Sequence, residues 1–215
     1  MNVSENECEL VGAIIGDGHI YRGFGKYLVG VTGHRTNDAE YLKHLCTLIE
    51  LEWGIKKKPF FRGGGLRIVF QSKPIVERLL GFFELPFGAK KCYTVVIPSV
   101  LRNDWKYSRH VLRGLVDTDG SVFVSKKPGI DRYPSLEITT VSKELASQTR
   151  NILLSQGFRA ANLRFSYSRL STRPAYKVAL FGWKNLLKWF NEIGFSNPVK
   201  REKARAILVE KYGNV

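Results

Sequence analysis

The amino-acid sequence predicts an α+β protein with two pseudo-symmetric αββαββα repeats, each an antiparallel β-sheet saddle covered by helices. The first reason is a repeated motif, since residues 10–18 read LVGAIIGDG and residues 112–120 read LRGLVDTDG. The second reason is a repeated end, since FFELPFGAKK at 82–91 resembles FNEIGFSNPVK at 190–200. The third reason is that apolar periods of two and of about 3.6 follow one another in the same order in both halves.

The first repeat, expected at 1–92, continues after its motif with a hairpin, a helix, a second hairpin and a second helix. Residues 19–33 alternate apolar and polar side chains around glycines, which predicts a β-hairpin. Asp38–Leu51 has apolar residues three and four apart, which predicts a helix. Residues 55–71 place three glycines between alternating segments and predict another hairpin. Ser72–Phe83 predicts a helix because it begins with serine and has proline in its first turn.

The second repeat, expected at 109–215 after a linker at 93–108, has the same order. The segments SVFVSKK and YPSLEITTV predict one hairpin, and RAANLRFSYSRL with RPAYKVALF predicts another. Periodic apolar residues predict three helices, the last without a counterpart in the first repeat: Lys143–Gln156, Lys184–Ile193 and Lys200–Lys211.

The charge of the chain indicates a polyanionic partner. The 34 Lys and Arg residues outnumber the 19 Asp and Glu residues, which gives a formal charge of +15, and residues 101–215 carry +12 of it. DNA, RNA and an anionic membrane surface are the partners that fit. No apolar run approaches the roughly 18 residues of a membrane-spanning helix, and the polar start is unlike a signal peptide. We therefore expect that the protein has no membrane partner and is not secreted. We expect it to be located in a prokaryotic cytoplasm or to be encoded in an organelle.

Each repeated motif ends in an aspartate followed by glycine. Gly12 and Gly114 hold the same motif position, where a small residue lets two helices approach until their backbones nearly touch. Such packing would bring the helix ends together, and with them Asp17 and Asp119. Paired carboxylates beside negative helix ends suit Mg²⁺ or Mn²⁺, which can activate water and stabilise a leaving phosphodiester oxygen. We expect the glycine after each aspartate to end its helix, and Arg113 to lie on another helical face.

Both motifs resemble the LAGLIDADG signature, and the repeat resembles single-chain, two-motif LAGLIDADG homing endonucleases, especially archaeal ones of introns or inteins. The resemblance implies that the penultimate acids, Asp17 and Asp119, are catalytic and bind the metal. It also places the preceding residues, Gly16 and Thr118, in the metal site. The family's frequent acid two positions earlier is present as Asp117 but missing from the first motif, so Asp117 is a poor catalytic candidate.

The resemblance further implies a catalytic lysine after the last helix of each half, Lys91 (or its neighbour Lys90) and Lys200. A lysine there would offset charge on the scissile phosphate or orient the attacking water. The alternative is a helix-end cation that binds free carbonyl oxygens. A polar residue at the end of the second strand, His34 or Arg35, would reach the same pocket, with a solvated turn as the alternative.

Alternation along the predicted strands separates an apolar face, which needs a helical cover, from a polar and basic face. The polar face is expected to read base edges in the major groove, which admits a β-ribbon; a solvated sheet face is the alternative. The expected DNA contacts are His19, Tyr21, Lys56, Lys58, Arg62, Arg67, Gln71, Ser121, Phe123, Ser135, Glu137, Thr139, Asn162, Arg164, Ser166, Ser168 and Lys177.

Together these features predict a monomeric, site-specific homing endonuclease that binds double-stranded DNA. Two sheets about a pseudo-two-fold axis would cover roughly 20 base pairs, one helical turn each, and the unequal halves imply an asymmetric target. The resemblance implies a staggered double-strand break with 3′ overhangs, made across the minor groove. Two alternatives stay open: a maturase that binds intron RNA, and a DNA-binding regulator that does not cleave.

Overall fold

The computed structural model describes residues 3–167 and 173–213, which form two repeats of one architecture. The first repeat consists of α1 (Glu5–Ile15), β1 (Gly18–Gly23), β2 (Lys26–Gly33), α2 (Ala39–Trp53), β3 (Phe60–Arg62), β4 (Gly65–Gln71) and α3 (Lys73–Gly81). Two short helices follow, α4 (Lys91–Thr94) and α5 (Ser99–Arg102). The second repeat and a final helix consist of α6 (Trp105–Asp119), β5 (Gly120–Lys127), β6 (Ile130–Thr140), α7 (Lys143–Ser155), β7 (Arg164–Ser166), β8 (Ala175–Phe181), α8 (Trp183–Glu192) and α9 (Pro198–Tyr212). The predicted αββαββα order is confirmed in both repeats.

Each repeat contains one four-stranded antiparallel sheet with the same strand order. The orders are β1-β2-β4-β3 and β5-β6-β8-β7. At equivalent places in the two registers, Gly18 pairs with Val31 and Gly120 pairs with Ile138. Because β1 and β5 begin beside the ends of α1 and α6, both sheets extend from the same end of the pair formed by these motif helices.

The motif helices α1 and α6 pack backbone to backbone. A Cβ atom built on Gly12 would lie 2.2 Å from the carbonyl oxygen of Val111, and one on Gly114 would lie 2.2 Å from that of Glu9. No side chain fits at such distances, so glycine is required at both positions. The predicted glycine interface is confirmed. Fully buried apolar residues surround it: Leu10, Val11, Ala13, Leu112 and Leu115.

The other helices cover one face of each sheet. Helices α2 and α3 pack on the first sheet, and α7 and α8 pack on the second. The strand residues that face them are buried, as the period of two requires: Ile20, Val29, Val31, Ile68, Phe70, Val122, Leu136, Ile138, Val178 and Leu180. We call the opposite faces of the two sheets the open faces. No helix of residues 3–167 and 173–213 has the length and apolar character to cross a membrane.

Buried ion pairs also join the motif helices. Glu9 is 4% exposed, and its carboxylate binds Arg113 at 3.2 Å and His44 at 2.8 Å. The Arg113 guanidinium also donates to the carbonyl oxygen of Ile193 at 2.7 Å. Arg113, the residue before Gly114, lies on a different helical face from Gly114, as expected, but its long side chain still reaches across to Glu9 on α1.

The glycines after the two aspartates provide space rather than a left-handed turn. Gly18 and Gly120 are absent from the positive-φ residues of the chain, and Gly120 has a φ of −83°. A Cβ atom on Gly18 would lie 2.4 Å from Ile14 Cα, and one on Gly120 would lie 2.6 Å from the carbonyl oxygen of Val116. Gly120 ends α6 as expected, but the expectation is wrong for Gly18, because α1 ends at Ile15 and is capped by Gly16. Both Gly18 and Gly120 let the first strand residue touch the last helical turn.

Three other sequence expectations change. The predicted linker at 93–108 is largely helical, because it contains α5 and the start of α6. Lys56 and Lys58 precede β3 and so do not alternate along a strand. Helix α9 does have a counterpart, since its first turn carries Lys200 where α4 carries Lys91.

Candidate metal centre and DNA-facing surface

Asp17 and Asp119 lie at the adjoining C-terminal ends of the motif helices. Asp119 is the last residue of α6, and Asp17 follows α1 by two residues. A Cβ atom built on Gly16 would lie 2.1 Å from Thr118 Oγ1 and 3.1 Å from Asp119 Oδ2, so the second motif contacts the backbone of the first here. Asp17 is exposed and Asp119 partly exposed. The two predicted catalytic carboxylates therefore share one accessible site.

The charge of this site opposes ionisation of both acids. Burial and then the nearby Asp17 raise the pKa of Asp119 to about 7, while Lys91 and Lys200 oppose the rise. Protein atoms packed around the Asp17 carboxyl partly desolvate it although the residue reaches the surface, and this raises its pKa, with the nearby Asp38 as the next cause. A cation placed between the two carboxylates would relieve this repulsion.

The two carboxylates suit a six-coordinate divalent metal whose other ligands are water and DNA phosphate oxygens. Residues 3–167 and 173–213 contain no group of three or more His, Cys, Asp or Glu side chains able to hold a metal. Two carboxylates alone suit Mg²⁺, which keeps several waters and binds substrate phosphate. The carbonyl oxygens of Gly16 and Thr118 each already accept a bond from a lysine, at 3.2 and 2.9 Å. Their role as metal ligands stays a prediction.

The two predicted lysines occupy equivalent places at the ends of the motif helices. Lys91 Nζ donates to three carbonyl oxygens at the end of α1, and Lys200 Nζ to three at the end of α6. An ammonium group has three donors, so each lysine uses all of them here. Burial lowers the pKa of Lys91 to about 8 and lowers that of Lys200. The geometry therefore matches the helix-end alternative, and a direct catalytic role stays a prediction.

Asp117 is a structural residue. It is 0% exposed, and its Oδ2 accepts a bond from the amide of Ser196 at 2.7 Å. Burial raises its pKa to about 7. In the first motif Ile15 occupies this position and is 3% exposed. The acid therefore stabilises the segment before α9 and does not reach the metal centre, in line with its poor standing as a catalytic candidate.

Asp38 and Asn197 are site residues that the sequence did not single out. Asp38 Oδ1 accepts a bond from Asn197 Nδ2 at 3.0 Å, and Asp38 Oδ2 accepts one from the His34 amide at 2.7 Å. Asn197 in turn caps α9, the helix that carries Lys200. Asp38 immediately precedes α2, but its side chain makes no capping hydrogen bond to that helix. His34 lies in a turn, where its ring accepts the amides of residues 36 and 37, and it lines the same cavity as Thr118 and Lys200.

The open face of the first sheet carries most of its predicted DNA contacts. Strand register places them together on the face away from α2 and α3: His19, Tyr21, Arg62, Arg67 and Gln71. The His19 ring lies over Gly30, since a Cβ atom there would be 2.3 Å from His19 Cε1. Lys56 lies beside this sheet rather than on it and pairs with Glu50 at 3.2 Å.

The open face of the second sheet carries Ser121, Phe123, Glu137, Thr139, Arg164, Ser166 and Lys177. Glu137 binds Arg164 at 3.3 Å and Lys177 at 3.7 Å, so part of the basic charge is balanced within the sheet. Two expectations are wrong. Ser135 is 1% exposed, beneath larger neighbours on this face, and cannot contact DNA.

The second wrong expectation concerns Asn162. The register changes between Ala160 and β7, which removes Asn162 from the alternation, and its side chain accepts a bond from Arg150 at 3.0 Å. Ser168 lies outside the described residues.

Comparison with known proteins agrees with this architecture. Residues 106–194 match the model of the LAGLIDADG-like domain. The structure of I-DmoI in complex with DNA and Mn is similar with a TM-score of 0.64 at 18% identity, over 91% of this chain and 99% of that one. The homing endonuclease I-WcaI bound to its DNA recognition sequence gives a TM-score of 0.62 at 18% identity, over 97% and 88%.

Two further proteins differ more in length. Full-length DUF199/WhiA from Thermotoga maritima gives a TM-score of 0.59 at 17% identity, over 98% of this chain and 62% of that one. The replication factor C small subunit of Methanocaldococcus jannaschii is 27% identical over 215 residues, which are 99% of this chain but 11% of that protein. A LAGLIDADG-like domain is therefore matched over residues 106–194, and the two-repeat fold of the whole described chain is similar to that of the I-DmoI and I-WcaI structures.

Proposed function

We propose that this protein is a site-specific DNA endonuclease that uses a divalent metal to hydrolyse both strands of a long, asymmetric target. The observation that carries the proposal is the meeting of Asp17 and Asp119 at the ends of the packed motif helices, from which both open faces extend. The I-DmoI and I-WcaI structures, with DNA and in the first case Mn, support the same use of this fold. A staggered cut with 3′ overhangs, and mobility of the gene as an intron or intein, belong to this proposal.

Each group in the site has a defined task in such a reaction. Asp17 and Asp119 would hold Mg²⁺ or Mn²⁺, which supplies Lewis acidity and an activated water at the phosphodiester. Lys91 and Lys200 fix the ends of α1 and α6, and so fix the position of each carboxylate. Asp38 and Asn197 tie the second half's lysine helix to the first half. The open faces place basic side chains along the duplex on both sides of the centre.

A selection for cleavage tests the proposal. The protein is incubated with a library of duplexes that carry 24 randomised base pairs, with Mg²⁺ and with EDTA, and cleaved molecules are sequenced. We expect Mg²⁺-dependent double-strand cleavage of one asymmetric sequence family. Asp17→Asn and Asp119→Asn should each abolish cleavage and retain binding, because the metal charge is lost while the phosphate contacts remain. Full cleavage by either variant would refute the role of these two aspartates.

A DNA-binding regulator that does not cleave is the second candidate, and the similarity of fold to WhiA favours it. It predicts that the same library yields bound sequences but no Mg²⁺-dependent or Mn²⁺-dependent products. This candidate would replace the endonuclease if the parent cleaves no duplex and Asp17→Asn binds DNA as tightly as the parent.

A further inference from the structure

A basic cleft lies beside the C-terminal end of β8, outward from the two aspartates along the second sheet. It has a volume of about 590 Å³ and lies between the end of β8, the start of α8 and the end of α9. Tyr133 and Phe181, which stack with ring centroids 6.0 Å apart, line it from the sheet. Four cationic residues line the rest: Arg159, Lys184, Lys188 and Lys211.

The cleft carries uncompensated positive charge. None of its lining residues is acidic. Lys188 is paired with Glu192, but no salt bridge joins Arg159 or Lys184 to any acid of residues 3–167 and 173–213. Cations held close together without counter-charge repel one another, and a polyanion is the ligand that relieves this.

Each aromatic ring of the cleft already has a cationic side chain over it. Lys127 Nζ lies 3.7 Å from the Tyr133 ring centroid, and Arg164 lies 5.3 Å from that of Phe181. Lys211 likewise covers Trp183 at 5.3 Å. Single-stranded nucleic acid binds largely through bases stacked on free rings. A backbone of phosphates, contacted from outside a duplex, fits these covered rings better.

The cleft continues the open face of the second sheet outward. Lys127 and Arg164 link the face to the cleft, since both contact the rings that line it. Tyr133, the outermost sheet residue that lines the cleft, pairs with Ser125, which lies five residues outward from Gly120 along β5. At about 3.3 Å per residue this is roughly 17 Å, or about five base pairs of duplex at 3.4 Å each. The cleft therefore lies outward from the aspartates, beside the outer half of the half-site that this sheet would cover.

We propose that this cleft binds the phosphate backbone of duplex DNA beside the outer half of the second half-site. The inference rests on the proposed function only in that duplex DNA lies along the open faces; it does not require cleavage. It assigns Arg159 and Lys184 to non-specific affinity rather than to base recognition.

Salt dependence of binding tests the cleft without a known target. The variant Arg159→Ala/Lys184→Ala and the parent are titrated with a 30-base-pair duplex of mixed sequence, in EDTA, between 50 and 200 mM salt. The loss of two phosphate contacts should flatten the slope of log K against log salt by about 1.8. Between 50 and 200 mM salt, the factor by which Kd changes should therefore be roughly twelvefold smaller for the variant than for the parent. The matched control, Arg102→Ala/Lys106→Ala, removes the same charge from α5 and the start of α6 and should leave the slope unchanged. Equal slopes in the parent and the cleft variant would overturn the proposal.

Lysine acetylation gives an independent readout on the unmodified protein. With the duplex bound, Lys184 and Lys211 should lose most of their reactivity towards an acetylating reagent, while Lys106 keeps its reactivity, as measured by mass spectrometry. Undiminished reactivity of Lys184 and Lys211 alongside protection of Lys177 on the open face would place the duplex elsewhere. Protection by a 30-nucleotide single-stranded RNA but not by the duplex would replace the proposed ligand with RNA. Cleavage does not enter either measurement, so the endonuclease proposal and the cleft can fail separately.

Discussion

Gly114→Ala tests the link between helix packing and catalysis. The new Cβ atom would lie 2.2 Å from the carbonyl oxygen of Glu9 and 2.7 Å from the amide nitrogen of Ala13, whereas ordinary contacts begin near 3.4 Å. Both neighbours are backbone atoms of α1, so the helices must separate by about 1.2 Å. Overpacking of this kind costs about 1–3 kcal/mol, which lowers Tm by about 2–12 °C in a chain of this size. Because Asp17 and Asp119 move apart, a displacement near 1 Å should slow cleavage by about a hundredfold.

The assay combines thermal unfolding with single-turnover cleavage of the selected duplex. Gly81→Ala is the matched control, because it makes the same change at the end of α3, where an added Cβ atom meets nothing within 4 Å. The control should melt at or slightly above the parent's temperature, since alanine favours helix by up to about 1 kcal/mol, and should cleave at the parent's rate. A Gly114→Ala protein that melts and cleaves like the parent would refute the paired-helix origin of the metal centre.

Three further outcomes follow from the charged groups. Arg113→Leu leaves Glu9 buried without its α6 partner and should lower the free energy of unfolding, measured with denaturant, by about 3–5 kcal/mol. The control Arg132→Leu, in the exposed pair with Glu210, should lower it by under about 1 kcal/mol. Equal losses would contradict the role of the buried pair. Burial, followed by Arg113, lowers the pKa of His110 to about 4. The stability that neutral His110 contributes is therefore complete above pH 6.5 and falls by about 3 kcal/mol towards pH 4. Parallel curves of stability against pH for the parent and His110→Gln would exclude this. Removal of Arg164 and Lys177 together should flatten the salt slope by about 0.9 rather than 1.8, because Glu137 already balances one charge; a change of 1.8 would show that DNA binding breaks both ion pairs.

The sequence by itself determined the repeat, the order of its elements and the two aspartates. Each of these depends on local information. The repeated Asp-Gly motif, the glycine at one position of both motifs and the change from a period of 3.6 to a period of two are all visible within a few residues. The close contact of the two helices at Gly12 and Gly114 could also be predicted from the sequence, because glycine within a helix indicates a close approach of another backbone.

The tertiary structure decided what depends on distant partners. Arg113 reaches Glu9 across 104 residues, and Asp38 reaches Asn197 across 159, so neither contact leaves a local pattern. Ser135 fits the polar parity of its strand but is buried by side chains from neighbouring strands.

The two lysines illustrate the same division. Their place after each half was predicted, but the choice between contacting phosphate and binding carbonyl oxygens depends on where the ends of α1 and α6 lie in space. Those ends carry unpaired carbonyl groups that must be satisfied, and only the folded chain brings Lys91 and Lys200 within reach of them.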